Sequence, residues 1–305
     1  MQLQTEIATA VANALKVSLL QDASAQIAMG GTSNAEALDA YLSAKKTLYR
    51  PRDSQTVLTA IAGYSEARRL DPSYALAIAG RSAGYNYYAH HMATGPAIKE
   101  NFEKAAMDAR RAIALAPGLA EGHLMLAWYY EMTLDLVRAG EEYTRAVELA
   151  PRDARMLRFS GHFSVSAGRI EAGIAAVNEA TLLDPLNPRS HYDFGFALFP
   201  ARRYDEALGA FARAINLDPN DSVYHPGRGV AFYADGNLQA ASASCENKAD
   251  DPVIQLCLAL TYEKLGRHTD AEATLKKVMN SRGDAEAVSY AEFYAQRGCD
   301  CVGAT

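Results

Sequence analysis

The sequence predicts an all-α protein made of repeated helix pairs stacked in a row, and three observations carry that prediction. Prolines recur at Pro117, Pro151, Pro185 and Pro219, 34 residues apart. Each closes a similar segment, ARRAIALAP, YTRAVELAP, VNEATLLDP or FARAINLDP, and an earlier copy, YSEARRLDP, ends at Pro72. Inside the later copies, small and large side chains fall at spacings of four and three: Ala139, Tyr143 and Ala146; Gly173, Val177 and Ala180; Ala207, Phe211 and Ala214. That spacing keeps them on one helical stripe, where a small residue admits a neighbouring helix and a larger one fills the gap. A fixed period of this length marks a stacked array, in which the core is distributed along the chain.

Residues 1–30 open the chain. In MQLQTEIATAVANALKVSLL the apolar residues Leu3, Ile7, Val11, Leu15 and Leu19 recur every four, which predicts one amphipathic helix followed by a linker. This stretch lacks the charged flank, continuous apolar run and small-residue cleavage site of a signal peptide. No run of about 18 apolar residues predicts a spanning helix, so the expectation is a soluble cytoplasmic protein without membrane contact.

The repeats follow, over residues 35–298. After each proline comes a second pattern: Leu126-Ala127 with Tyr130, Phe194-Gly195 with Leu198, and Leu258-Ala259 with Tyr262. Seven residues beyond its small position stands a glycine in several copies, as Gly168 after Gly161, Gly236 after Gly229, Gly266 after Ala259 and Gly298 after Ala291. Glycine there suits the left-handed residue that ends a helix. Each unit therefore reads as helix, tight turn, helix, with proline just before the next unit.

Two copies depart from the period. Pro72 and Pro117 are 45 residues apart, which predicts an insertion of eleven residues around HHMATGPAIKE, between the helices of that unit. The unit near Ser222 is short, because the next begins near Pro252, and its second helix, QAASASCENKA, has Lys248 where the others have Ala. AEAVSYAEFYAQRG reads as the first helix of another unit with no partner, before a tail at 299–305. Val288, Ala291 and Tyr294 would then lie uncovered, which predicts self-association through this end.

The 34-residue length and this distribution of small, aromatic and proline positions resemble the tetratricopeptide repeat (TPR). The resemblance covers almost the whole chain. It implies an α-α superhelical solenoid of about seven helix pairs, preceded by the N-terminal helix, with the first helix of each pair lining an extended concave surface that binds proteins. A narrower resemblance lies near the start. LQTEIATAVANAL, SNAEALDAYLSAKKTLYR and AIAGYSEARRLDPSYALAIAG are similar to the segment that links a TolB-like domain to C-terminal repeats in bacterial proteins carrying a class III adenylate cyclase or a winged-helix domain upstream. That resemblance implies an alternative role, as the regulatory or sensory portion of such a signalling protein or transcription regulator.

Composition narrows the chemistry. The 305 residues carry a net charge of −6, the wrong sign for a protein that chiefly neutralises phosphate, so direct nucleic-acid binding is not expected. HExxH, GxSxG, P-loop and GxGxxG patterns are absent, and no enzyme and no cofactor are expected. Cys245 and Cys257 fall in core-like helical patterns and read as inert thiols, while the Cys299/Cys301 C-x-C lacks the further ligands that zinc requires. Gly227-Arg228-Gly229 reads as helix packing, and His90-His91 as a surface pair. His123, His191 and His225 hold equivalent places in three units, too far apart to share a metal, and read as packing residues with satisfied ring nitrogens.

The binding expectation rests on first-helix residues not needed for packing within a repeat. These include Glu121, Trp128, Glu131, Arg155, Arg158, His162, Arg189, Tyr192, Asp193 and Phe196, of which Trp128, Glu131, Arg155, Arg158, His162, Arg189, Tyr192 and Phe196 form the candidate groove. Arg155, Arg158 and His162 share a helical face, and Arg189 repeats the place of Arg155 one unit later. An arginine fork takes a carboxylate bidentately, and Trp, Tyr and Arg dominate binding hot spots. One reading is a groove for an extended peptide with an acidic residue or a C-terminal carboxylate. The other is a solvated surface in which these arginines pair with Glu121, Glu131 and Asp193. The Lys-and-Asn clamp of chaperone-binding relatives is not visible in corresponding places. On the groove reading, Arg155→Ala with Arg158→Ala weakens a cognate peptide by about 2 kcal/mol or more and leaves helicity intact.

Overall fold

A computed structural model of the chain describes residues 29–49, 53–246 and 252–282. The expected N-terminal helix, Lys248, the unpartnered helix with Val288, Ala291 and Tyr294, and the Cys299/Cys301 tail lie outside the described residues. The described chain forms fourteen α-helices in seven consecutive antiparallel pairs and contains no strand. It divides into two compact units at Pro151 and Arg152.

The first unit holds three pairs: α1 (Ala35–Tyr49) with α2 (Ser54–Leu70), α3 (Ala75–His91) with α4 (Pro96–Leu115), and α5 (Ala120–Met132) with α6 (Leu136–Leu149). The second holds four: α7 (Ala154–Ser166) with α8 (Ile170–Leu183), α9 (Pro188–Ala197) with α10 (Tyr204–Leu217), α11 (Pro226–Asp235) with α12 (Leu238–Glu246), and α13 (Pro252–Lys264) with α14 (His268–Arg282). Within each unit the first helices of successive pairs also lie against one another, so they form a continuous row.

Local sequence explains where these helices start and stop. Asn34, Asp53, Asp135, Asp153 and Asn187 cap α1, α2, α6, α7 and α9 by accepting backbone N–H bonds from the first turn. Pro72, Pro117, Pro151 and Pro185 each stand three residues before a first helix, as the period predicts. The copy at Pro219 differs, because Pro226 suits the first position of a helix and sets the start of α11 there. Ser222–Tyr224 closes as a 3₁₀ turn, and α11 begins only at Pro226.

The small-large-small stripes are buried in all three predicted copies, with Ala139, Val177, Ala207 and Phe211 fully inaccessible. The eleven-residue insertion takes a different form from the one expected. Both helices of the pair lengthen, to 17 residues in α3 and 20 in α4 against 13 and 14 in α5 and α6, and the turn between them is short. His90 and His91 thus close α3, exposed, and Gly95 with positive φ followed by Pro96 starts α4. The alanine-rich α4 sequence favours extending the helix over forming a loop.

Candidate binding face

In the second unit the face begins with α7 and α9. Asp153 Oδ1 accepts from the backbone N–H groups of Arg155 and Met156, which fixes the first turn of α7. Arg155, Arg158, Phe159 and His162 then fall along one side of that helix, with the Phe159 ring under both guanidiniums, 6.0 Å from Arg155 and 4.7 Å from Arg158. Asn187 and Pro188 fix the start of α9 in the same manner, and Asp193, one turn after Arg189, reaches Arg158 of α7.

Asp193 is the hub. Only 3% of it is accessible, and its carboxylate accepts from Arg158 Nη1 on α7 and from Arg189 Nε on its own helix, the latter at 3.0 and 3.1 Å. Burial works against its charge, but Arg189 and Arg158 outweigh burial and hold the carboxyl below the usual range. Arg158 is nearly buried, so desolvation lowers its pKa against the pull of Asp193. Arg189 is half-exposed and Asp193 raises its pKa. His162 Nε2 stands 3.8 Å from Asp193 Oδ1 and is buried without a hydrogen-bond partner; desolvation pushes its pKa down, so the ring is neutral at neutral pH.

Tyr192 and Phe196 give part of their surface to the core. Tyr192 packs 5.5 Å from Phe211 and 5.5 Å from Tyr224, and Phe196 lies 5.1 Å from Phe211. Both remain half-buried, and Arg189 lies 5.8 Å over the Tyr192 ring. The cluster of α7 and α9 therefore sets three guanidiniums against the single carboxylate of Asp193, and Arg155 makes no ion pair among the described residues.

Trp128 and Glu131 belong to the first unit, on α5. Trp128 is half-buried and meets His90 of α3 edge-on at 6.3 Å, while His90 touches His91 at 4.3 Å. Glu131 accepts from Tyr143 Oη of α6 at 2.5 Å, and burial raises its pKa. Glu131 is thus tied to the second helix of its own pair. Between α4 and α5 a cleft of about 430 Å³ is lined by Ile98, Phe102, Tyr129 and Met132 among others.

Three features escaped sequence reasoning. Arg81 and Asp108 form a buried bidentate ion pair between α3 and α4, both contacts 2.7 Å. Asn86, fully buried, donates to the Met125 carbonyl at 3.0 Å, which links α3 to α5. Phe159 supports the arginines of α7. The signal for Asp193 was available: its places one and two periods earlier are Phe159 and Met125, so a carboxylate there sits in an apolar column. The three equivalent histidines are half-buried and share one contact, each Nε2 bonding the carbonyl of the proline six residues earlier: His123 to Pro117 at 3.4 Å, His191 to Pro185 at 3.0 Å and His225 to Pro219 at 3.2 Å; His123 alone has both ring nitrogens engaged, with Nδ1 at 2.6 Å from Glu142. Among the described residues no group of three or more His, Cys, Asp or Glu could hold a metal ion, and no helix is long and apolar enough to cross a membrane.

Comparison with known proteins agrees with this architecture. Residues 257–284, which span most of α13 and α14, match the family model for the tetratricopeptide repeat. The chain is similar to the small glutamine-rich tetratricopeptide repeat-containing protein 2 of Mycosarcoma maydis, 28% identical over 38% of this chain and 32% of that protein. It is also similar to the type IV pilus assembly protein PilF of Pseudomonas aeruginosa, 27% identical over 39% of this chain and 48% of that protein. These matches span between about a third and a half of the relatives' length. Among solved structures, PilF superposes with a TM-score of 0.53 at 20% identity, over 77% of this chain and 99% of that one. A tetratricopeptide repeat protein from Parabacteroides merdae superposes with a TM-score of 0.59 at 14% identity, over 85% of this chain and 99% of that one. Residues 257–284 thus carry the family's sequence pattern, and the fold of the chain is an α-solenoid of tetratricopeptide-repeat type.

Proposed function

We propose that this chain is a non-enzymatic interaction scaffold whose α7–α9 face takes an extended peptide by an acidic side chain or a C-terminal carboxylate. The repeat fold supports the scaffold role, because its row of first helices presents a long surface built for partners. The uneven charge of the cluster supports the acidic ligand. Asp193 occupies Arg158 and one edge of Arg189, whereas Arg155 makes no ion pair among the described residues and lies over the Phe159 ring. Arg155 and the free edge of Arg189 are the groups available for a carboxylate, with Tyr192 and Phe196 as apolar neighbours.

This geometry changes the choice of variant. Arg158→Ala would strip a buried carboxylate of its partner on α7 and unsettle the fold, so pairing it with Arg155→Ala does not separate binding from folding. Arg155→Glu does. An array of extended peptides, acidic or neutral and with free or amidated C-termini, probed with the full chain, should retain acidic and free-carboxyl members. Arg155→Glu should weaken those members by about tenfold or more, equivalent to about 1.4 kcal/mol. Equal retention of neutral amidated peptides, or binding indifferent to Arg155→Glu, would overturn the proposal.

A further inference from the structure

Two cysteines of the second unit meet at the joint between its last two helix pairs. Cys245 stands on α12, 34 residues after Phe211 and 68 after Val177, where earlier pairs place the large side chain of the buried stripe. Cys257 stands on α13, the first helix of the next pair. Their Sγ atoms are 3.0 Å apart, with residue exposures of 1% and 5%, inside a core of Ile254, Leu258 and Leu275. The backbone of α11 closes the opposite side at Gly229, where any Cβ would overlap Cys245 Sγ and come within 3.3 Å of Cys257 Sγ. A disulfide needs about 2.05 Å between sulfurs, so the pair is about 1 Å from bonding, within reach of small side-chain rotations.

We propose that Cys245 and Cys257 are a modification site that forms a reversible intrachain disulfide, stapling α12 to α13 and locking the joint between the last two helix pairs. The geometry also separates the two roles. Cys245 Sγ donates its proton toward Cys257 Sγ, which favours the Cys257 thiolate against its burial and holds the Cys245 thiol up. With hydrogen peroxide as oxidant, the Cys257 thiolate attacks one oxygen and the O–O bond breaks. Hydroxide leaves and takes a proton from solvent, and Cys257 becomes a sulfenic acid. The Cys245 sulfur then attacks the Cys257 sulfur, the S–O bond breaks, and water departs with the Cys245 proton. In sum two thiols lose two electrons and two protons, and one peroxide becomes two waters.

In a repeat array each pair is held mainly by its neighbours, so a covalent staple at one joint restrains the whole α13–α14 pair. The test uses the full chain carrying Cys299→Ser and Cys301→Ser, leaving only this pair of thiols. After treatment with excess hydrogen peroxide and alkylation under denaturing conditions, trypsin cleaves at Arg228, Lys248 and Lys264 and places the two cysteines in separate peptides, 229–248 and 249–264. The expected product is a species with the summed mass of both peptides less two hydrogens, which separates on reduction. The oxidised chain should melt several degrees higher than the reduced one and show slower hydrogen exchange across α13 and α14. Cys245→Val, which places the side chain of Val177 at the matching position, should keep the fold and abolish both the species and the shift. Complete alkylation of both thiols after peroxide, or a cross-link that leaves melting and exchange unchanged, would overturn the proposal.

Discussion

Arg158 on α7 donates to Asp193 on α9, and this contact between neighbouring first helices is nearly inaccessible to water on both sides. A buried pair of this kind contributes little beyond an apolar pair of equal volume, but leaving one member alone is costly. Arg158→Ala leaves the carboxylate with the half-exposed Arg189, and Asp193→Ala leaves Arg158 charged and desolvated. Each is expected to lower stability by about 3–5 kcal/mol. Arg155→Ala, which breaks no ion pair, should stay within about 0.5 kcal/mol of the parent. Urea titrations followed by far-ultraviolet circular dichroism compare the three. A loss at Arg155 as large as that at Arg158 would contradict the assigned pairing.

Leu134, Gly168, Arg202 and Gly236 stand 34 residues apart and share a left-handed backbone, with φ of 62°, 81°, 56° and 85°. The turn between the two helices imposes this conformation in these four pairs, and two of the four meet it with glycine, as Gly266 with φ of 74° does between α13 and α14. Leu134 is 82% exposed and Arg202 is also exposed, so neither gives up burial when shortened. Leu134→Gly and Arg202→Gly should each raise stability by about 1 kcal/mol, and Gly168→Ala should lower it by a similar amount. Melting temperatures shifting in the opposite sense would show that the side chains at 134 and 202 hold the turn in some other way.

The period was legible because close helix packing demands a small residue at the same place in every copy, and each turn asks for proline or glycine at its own fixed place. Those demands act on single residues and leave their mark in the sequence. The charge cluster was only half legible. Arg155, Arg158 and Arg189 were visible as a group, but which of them is buried depends on Asp193, 35 residues from Arg158 and on another helix. Nothing within α7 distinguishes Arg158 from Arg155. The same limit hid Arg81 and Asp108, whose contact crosses between α3 and α4. The insertion near His90 was misplaced for a different reason: eleven added residues can lengthen two helices or extend a loop, and helix propensity together with Gly95-Pro96 decided it.

Gly161 on α7 and Gly173 on α8 face each other across the pair, and a Cβ on either would crowd the carbonyl oxygen of the other. A Cβ on Gly161 would lie 2.9 Å from the Gly173 carbonyl oxygen and 2.6 Å from a Val177 methyl. Neither helix backbone can retreat without disturbing the pair, so Gly161→Ala should lower stability by about 1–3 kcal/mol. Gly209, exposed in the middle of α10, has nothing within 4 Å of its Cβ position, and Gly209→Ala should raise stability by about 0.5–1 kcal/mol. Equal effects at the two positions would show that helix propensity, not the crossing, governs glycine in this chain.

His162 gives the α7–α9 cluster a pH dependence of its own. Desolvation holds its pKa below that of an unfolded histidine, near 6.5, so between those two values the unfolded chain carries a proton that the folded chain does not. Stability therefore falls as pH drops from about 6.5 toward the folded pKa, and below that pKa this contribution levels off. Asp193 adds a second loss at lower pH. Its folded pKa is depressed, so its contribution is complete above about pH 4 and fades as pH falls through the folded value. His162→Gln removes the first group and keeps the second. Its unfolding free energy should be flatter than the parent's as pH falls below about 6.5, with the acid limb below about pH 4 retained. Parallel curves for the two proteins across the upper window would show that His162 takes up its proton in the folded state.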